Sequence, residues 1–183
     1  PGLGTGVSTA SLSAIARLAG FRGLPEVLAR ACLAVEGASD PLMFPQADRL
    51  LWASRQGRVL GRLPAVPRAH LLVGFFGPAL PTSARDQDYD DISDLVAAWR
   101  KAQSLGDCAA IARDSASRCL TRRGPVDDPT AQLARDLGAL GWAASHSGAA
   151  RALIFAPGTL PQRGAALMRE AGLRNLRALA TGG

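Results

Sequence analysis

The sequence has 183 residues, 48% of them apolar and 20% charged, a composition that belongs to a globular body and not to a disordered chain. Its 21 basic and 15 acidic residues leave a net charge of +6, but every basic residue except Lys101 is arginine, and the arginines are spread over the whole length. Aromatics at 5% are too sparse to stack bases, so the dispersed charge points away from nucleic acid.

Other classes are excluded residue by residue. No run of about 18 apolar residues exists, so no membrane span is expected, and no charged, apolar, small-residue leader pattern shows, so no secretion signal is expected. Cys32, Cys108 and Cys119 are odd in number, scattered and without a CxxC pair, which predicts free thiols in a reducing cytoplasm. The single lysine follows Arg100, so no Gly-Lys-Ser/Thr phosphate loop exists.

The chain starts at Pro1 directly on a glycine-rich loop, Gly2-Leu3-Gly4-Thr5-Gly6-Val7-Ser8-Thr9. Such loops follow a strand, and the expectation is that N-terminal strands are missing here. Residues 8–20 predict a helix with Leu12, Ile15, Ala16 and Ala19 on its apolar face, capped at Ser8 or Thr9 and ended by Gly20. Pro25–Glu36 predicts a second helix whose apolar face is Val27, Leu28, Ala31, Cys32 and Val35. A turn-rich stretch, 37–41, follows.

Residues 49–53, 58–63 and 70–76 read as extended segments, punctuated by Gly57 and by Pro64 and Pro67, and their spacing predicts an antiparallel meander. The five aspartates between Asp86 and Asp94 read as a solvated loop. Helices are expected over 91–105 and 107–120, the latter capped by Asp107. A further helix opens at Asp128-Pro129-Thr130 with Leu133, Leu137 and Leu140 as its face. A strand over Ala150–Phe155, a helix over 162–171 stopped by Gly172 and a strand over 176–180 complete the chain. Hairpins interleaved with helices indicate an α+β fold, not a doubly wound parallel sheet.

Three places can carry chemistry. Glycines before a helix let the backbone approach a ligand, and the free N–H groups and dipole of the helix start suit phosphate; Thr5, Ser8 and Thr9 add hydroxyls for phosphate oxygens or a magnesium ion. A plain loop is the competing reading. Glu36 and Asp40, four residues apart in a Gly/Ser turn, can hold a metal and accept a proton, or Asp40 with Pro41 merely starts a turn. The small residues of Ser145-His146-Ser147-Gly148 allow a substrate to come close; alternatively they form a tight turn with a satisfied histidine. No serine sits in a nucleophile elbow, so no Ser/His/Asp triad follows.

Taken in order, these motifs resemble the GHMP kinases of galactose, homoserine, mevalonate and phosphomevalonate. Gly2-Leu3-Gly4-Thr5-Gly6 is similar to their Gly-Leu-Gly-Ser-Ser motif. Val7-Ser8-Thr9-Ala10, the Glu36-Gly-Ala-Ser-Asp40 turn followed by Met43-Phe44-Pro45, and Ser145-His146-Ser147-Gly148-Ala149 resemble the L-threonine kinases of cobalamin synthesis. The likeness runs through all 183 residues but covers only the part of a family chain from the phosphate loop onward. It departs at Gly6, where the family has serine, and at Leu80-Pro81-Thr82.

The resemblance implies a GHMP-kinase-like fold, an antiparallel sheet with helices packed on it. Residues 1–60 would be the remainder of a nucleotide-binding domain and 61–183 a ferredoxin-like domain. It implies an ATP- and Mg²⁺-dependent cytoplasmic kinase of a small-molecule hydroxyl, acting on an amino acid or related alcohol, with no membrane or nucleic-acid partner and with room for a homodimer. ATP phosphates would lie on Gly2, Leu3, Gly4, Thr5, Gly6, Val7, Ser8 and Thr9. Glu36 and Ser8 would hold Mg²⁺, Asp40 would act on the acceptor hydroxyl, and His146, Ser147 and Gly148 would meet the γ-phosphate or substrate. The alternative is a GHMP-like domain that binds a metabolite or partner without phosphoryl transfer.

Overall fold

The computed structural model describes residues 4–78, 83, 88–146 and 148–181. The first two helices, α1 (Val7–Leu18) and α2 (Pro25–Glu36), pack together on a short hairpin, β1 (Leu50–Ala53) and β2 (Arg58–Arg62). Then come β3 (Ala69–Phe75), α3 (Ser93–Trp99), α4 (Leu105–Arg123), α5 (Thr130–Asp136), β4 (Gly141–Ala144), β5 (Ala150–Phe155), α6 (Gly164–Glu170) and β6 (Arg174–Thr181). The α+β class expected from the sequence is what forms.

The strands do not make the expected meander. β1 pairs only with β2, and β3 belongs to a second, four-stranded antiparallel sheet in the order β4-β5-β3-β6. The prolines at 64 and 67 break the extended run, and proline lacks the N–H needed to continue a ladder. β3 therefore finds its partners about eighty residues or more downstream, at His70↔Phe155 and His70↔Ala180.

The main core lies on this sheet. Leu72, Trp142, Leu153 and Phe155 meet Met168 of α6, Leu133 of α5 and Ala116 of α4. Leu153 and Met168 are fully buried. β4, which sequence periodicity did not signal, is Gly-Trp-Ala-Ala; a Cβ on Gly141 would collide with the Ala109 carbonyl, so the small residue is what lets α4 lie on the strand. No helix among the described residues is long and apolar enough to cross a membrane, and Cys32, Cys108 and Cys119 are all buried.

Several helix expectations shift. The helix expected over 91–105 is only Ser93–Trp99, because Ser104 and Asp107 form a reciprocal capping box that starts α4 afresh. Asp107 is thus the third residue of the box and Ser104 the cap. Leu140 leaves the face of α5, which stops at Asp136, and its N–H instead donates to Ile154 O at 2.8 Å.

The faces of α1 and α2 are rotated from those expected. Leu28 and Cys32 are buried as expected, but Ile15 is 62% exposed and Val35 71% exposed, whereas Thr9, Ser13 and Ala29 are buried. The Ser13 hydroxyl lies beside the Cys32 thiol, and one turn away Thr9 meets Glu36. The inter-helix seam is therefore partly polar, with Leu12, Ala16 and Phe21 closing it against Met43. Leu18 and Leu24 stay exposed at its outer edge.

Candidate active site

Three segments far apart in sequence meet at one cleft of about 770 Å³: the loop before α1, the turn after α2 and the turn between β4 and β5. Gly6 is the cap of α1 at φ +68°, and among the described residues no side chain caps the helix start. The first intrahelical bond is Ala10 N to Gly6 O at 3.0 Å, so the N–H groups of Val7, Ser8 and Thr9 have no helical acceptor. They line the cleft together with Thr5. Gly2 and Leu3 lie outside the described residues.

The loop glycines have protein neighbours as well as a cleft beside them. Gly4 is at φ +74°, and a Cβ there would stand 2.6 Å from Ser145 Oγ; a Cβ on Gly6 would stand 3.0 Å from Asp40 Oδ2. Only glycine allows both the left-handed backbone and these approaches.

Gly37, at φ +72°, ends α2, and its N–H donates to Leu33 O. The β1–β2 hairpin then fixes the acidic turn: Ser39 N donates to Ser54 O at 3.0 Å, and Trp52 Nε1 donates to Ser39 O at 2.6 Å. Phe44 stacks against Trp52 with ring centroids 5.3 Å apart, and Met43 is buried in the α1/α2 core. Glu36 and Asp40 are joined through Thr9, whose hydroxyl donates to Glu36 Oε2 at 3.1 Å and accepts the Asp40 N–H at 3.2 Å. The Thr9 hydroxyl, expected to face phosphate, is engaged here; at 2% exposure only its backbone N–H remains for an anion.

Asp40 is open to solvent at the cleft mouth, yet desolvation by the surrounding protein pushes its carboxyl above the usual carboxylate pKa. Among the described residues no positive side chain offsets this. A carboxylate in that setting is a stronger base than an ordinary aspartate.

The late turn is held from behind. Arg151, 2% exposed, pairs through Nε with Asp128 Oδ2 at 2.7 Å and donates through Nη1 to Gly148 O and Ala150 O. Ser145 N donates to Ala150 O, which closes the turn. His146 sits edge-on to Tyr89, and its carbonyl accepts the Cys119 thiol at 3.7 Å. His146 is exposed, yet desolvation by the surrounding protein first, then the Arg123 charge, pushes the imidazole pKa below its ordinary value, so His146 is neutral at pH 7. Ser147 lies outside the described residues.

The opposite wall comes from residues that sequence analysis did not single out. The segment expected as a solvated acidic loop is largely solvent-exposed in its described part and is, in addition, clamped to α4. Arg118 grips Asp94 with two bonds of 2.8 and 2.5 Å and also reaches Asp91 O. Arg122 pairs with Asp90 at 2.6 Å and with Asp88. Tyr89 lies under Arg123, 4.6 Å from the ring centroid, while Arg55 from the hairpin reaches the Tyr89 hydroxyl at 2.7 Å. Asp86 lies outside the described residues. The signal was present in the spacing: Arg118 and Arg122 are four apart on one helix face, matching an aspartate-rich stretch upstream.

The cation expected at Glu36 fits the residues present. Glu36 Oε1 is buried and has no hydrogen-bond partner, while Thr9 holds the other carboxylate oxygen. Glu36 and Ser8 both line the cleft. Among the described residues no group of three or more His, Cys, Asp or Glu that could hold a metal ion exists.

No family model matches the sequence, and no curated protein matches it significantly. Among solved structures, the chain is similar to homoserine kinase from Cytophaga hutchinsonii, at a TM-score of 0.61 and 16% identity. The fold is a GHMP-kinase-like fold. The match covers 99% of this chain and 66% of that kinase, so the chain spans about two thirds of the kinase's length.

Proposed function

We propose that this chain is the catalytic part of an ATP-dependent kinase that phosphorylates the hydroxyl of an amino acid or related alcohol, with L-threonine as the first acceptor to test. The similarity to a homoserine kinase supports a small-molecule acceptor. The observation that carries the reading is the pair of carboxylates beside an uncapped helix start. Glu36 offers an unpartnered oxygen to a cation, and Asp40 offers a desolvated base, within one cleft.

The backbone N–H groups of Val7, Ser8 and Thr9 would receive phosphate oxygens at the positive end of α1. Glu36 and Ser8 would hold Mg²⁺, which when bound neutralises phosphate charge. Asp40 would orient the acceptor hydroxyl and take its proton. Neutral His146 donates a hydrogen bond without adding charge, and Gly148 leaves room for the transferring group. No covalent intermediate is needed: positioning and preorganised donors do the work. Within this reading residues 1–60 form the remainder of the nucleotide-binding domain, residues 61–183 form the ferredoxin-like domain, and the enzyme works in the cytoplasm.

The test is ADP release and phosphoester formation by the full-length protein across hydroxy amino acids and amino alcohols, with and without Mg²⁺. Transfer to at least one acceptor is expected. Absence of both transfer and Mg²⁺-dependent ATP binding overturns the reading.

A further inference from the structure

Most polar side chains at the α1/α2 seam have an unused atom; Thr9 has none. Its hydroxyl is 2% exposed as a residue and uses both of its capacities, donating to Glu36 Oε2 at 3.1 Å and accepting from Asp40 N at 3.2 Å. The two carboxylate residues belong to different pieces of backbone, the last turn of α2 and the loop beyond Gly37. The hydroxyl of α1 is a common fixed point for both. It also decides which oxygen of Glu36 is spoken for, leaving Oε1 buried and unpartnered.

We propose that Thr9 is the positioning residue of this site: one hydroxyl orients the Glu36 carboxylate and fixes the backbone of Asp40, so that cation ligand and base are set at a constant separation. The consequence for catalysis rests on the kinase reading; the link itself does not. Removing the hydroxyl without changing volume, as in Thr9→Val, leaves the Asp40 N–H without its acceptor and frees Glu36 to rotate. Thr9→Ser keeps the hydroxyl and restores both.

Two measurements on the full-length protein decide this. In the ligand-free state, amide exchange at Asp40 and the side-chain carboxyl shift of Glu36 are followed by NMR. Thr9→Val is expected to speed Asp40 exchange by about tenfold, the loss of one hydrogen bond, and to move the Glu36 resonance, with Thr9→Ser close to wild type. Should Thr9→Val not fold, Thr9→Cys takes its place, with the same direction expected because the thiol is a weak donor. In the working enzyme the Mg²⁺ concentration for half-maximal turnover is expected to rise about 10–100-fold in the valine variant, as for other residues that orient a metal ligand. A lost packing contact alone would lower the melting temperature and leave that concentration unchanged.

An unmoved Glu36 resonance with unchanged Asp40 exchange overturns the inference whatever the activity. A wild-type protein that binds no Mg²⁺·ATP removes the kinase reading instead, and the ligand-free NMR then decides Thr9 by itself.

Discussion

Gly4 and Ser145 touch across 141 positions of sequence, so closely that a Cβ at position 4 would stand 2.6 Å from the Ser145 hydroxyl oxygen. The loop before α1 and the turn between β4 and β5 are therefore one surface. His146 and the helix start line the same cleft, so a phosphate bound on the first would be flanked by the second.

Gly4→Val is expected to abolish ATP binding and also to destabilise the fold. The left-handed backbone costs a branched residue about 1–2 kcal/mol, and overpacking against Ser145 adds roughly 1–3 kcal/mol. Calorimetry of unfolding and ATP titration of the same variant check both; a wild-type melting temperature with intact affinity would contradict the packing and the phosphate role together.

Arg151→Met should be among the most damaging changes away from the cleft. The ion pair with Asp128 has side-chain exposures of 2% and 7%, and breaking a buried pair from one side costs about 3–5 kcal/mol. The turn carrying Ser145 and His146 loses its anchor at Gly148 O as well. Denaturant melts should show the loss. The double variant with Asp128→Leu should recover much of it, since no uncompensated charge then remains.

Asp40→Asn keeps the shape and turn propensity of the residue but removes its basicity. General-base loss costs about 10²–10⁴ in rate, and a loose phosphoryl transition state places the effect at the lower end. A kcat fall of about 100-fold with ATP KM near wild type is expected. If Asp40 only starts the turn at Pro41, steady-state kinetics will show full activity.

The pH dependence follows from the same residue. Desolvation raises the folded pKa of Asp40, so the base is charged, and the rate reaches its plateau, only above the ordinary carboxylate range. The folded state also holds that proton more tightly than the unfolded chain. Its contribution to stability is thus present at low pH and declines as pH rises from the unfolded carboxylate value through the folded one. Asp40→Asn is then expected to melt slightly higher than wild type at neutral pH while losing rate; an acid limb of kcat/KM at the ordinary aspartate value would count against this.

Glu36→Gln separates the cation from the base. It should raise the Mg²⁺ requirement and weaken ATP in the same titration, because the amide removes the charge that a divalent ion needs. Unchanged Mg²⁺ dependence would take Glu36 out of the metal role.

Much of the fold was readable locally. Pro25 at a helix start, glycines at 37 and 172, and the apolar run of Ala150–Phe155 mark elements whose ends depend on backbone conformations only a few residue types adopt. The motif order likewise carried the resemblance to GHMP kinases, and glycine before α1 and carboxylates after α2 are local chemistry. What local patterns could not contain is pairing. β3 leaves β1 and β2 for partners near residues 155 and 180, and β4 is a strand only because Gly141 lets α4 lie on it. Helix faces are decided the same way: hydrophobic spacing put Leu28 and Cys32 inside, where they are, but also Ile15 and Val35, while the neighbours present turned Thr9 and Ser13 inward. The acidic segment is largely exposed as read, but its pairing with arginines on α4, about thirty residues later, is a matter of tertiary structure. The sequence by itself nominated candidates for binding phosphate, holding a cation and accepting a proton. Tertiary structure alone decided that Thr9 would join Glu36 to Asp40, because a hydrogen bond is set by distance in space, which no spacing along the chain specifies.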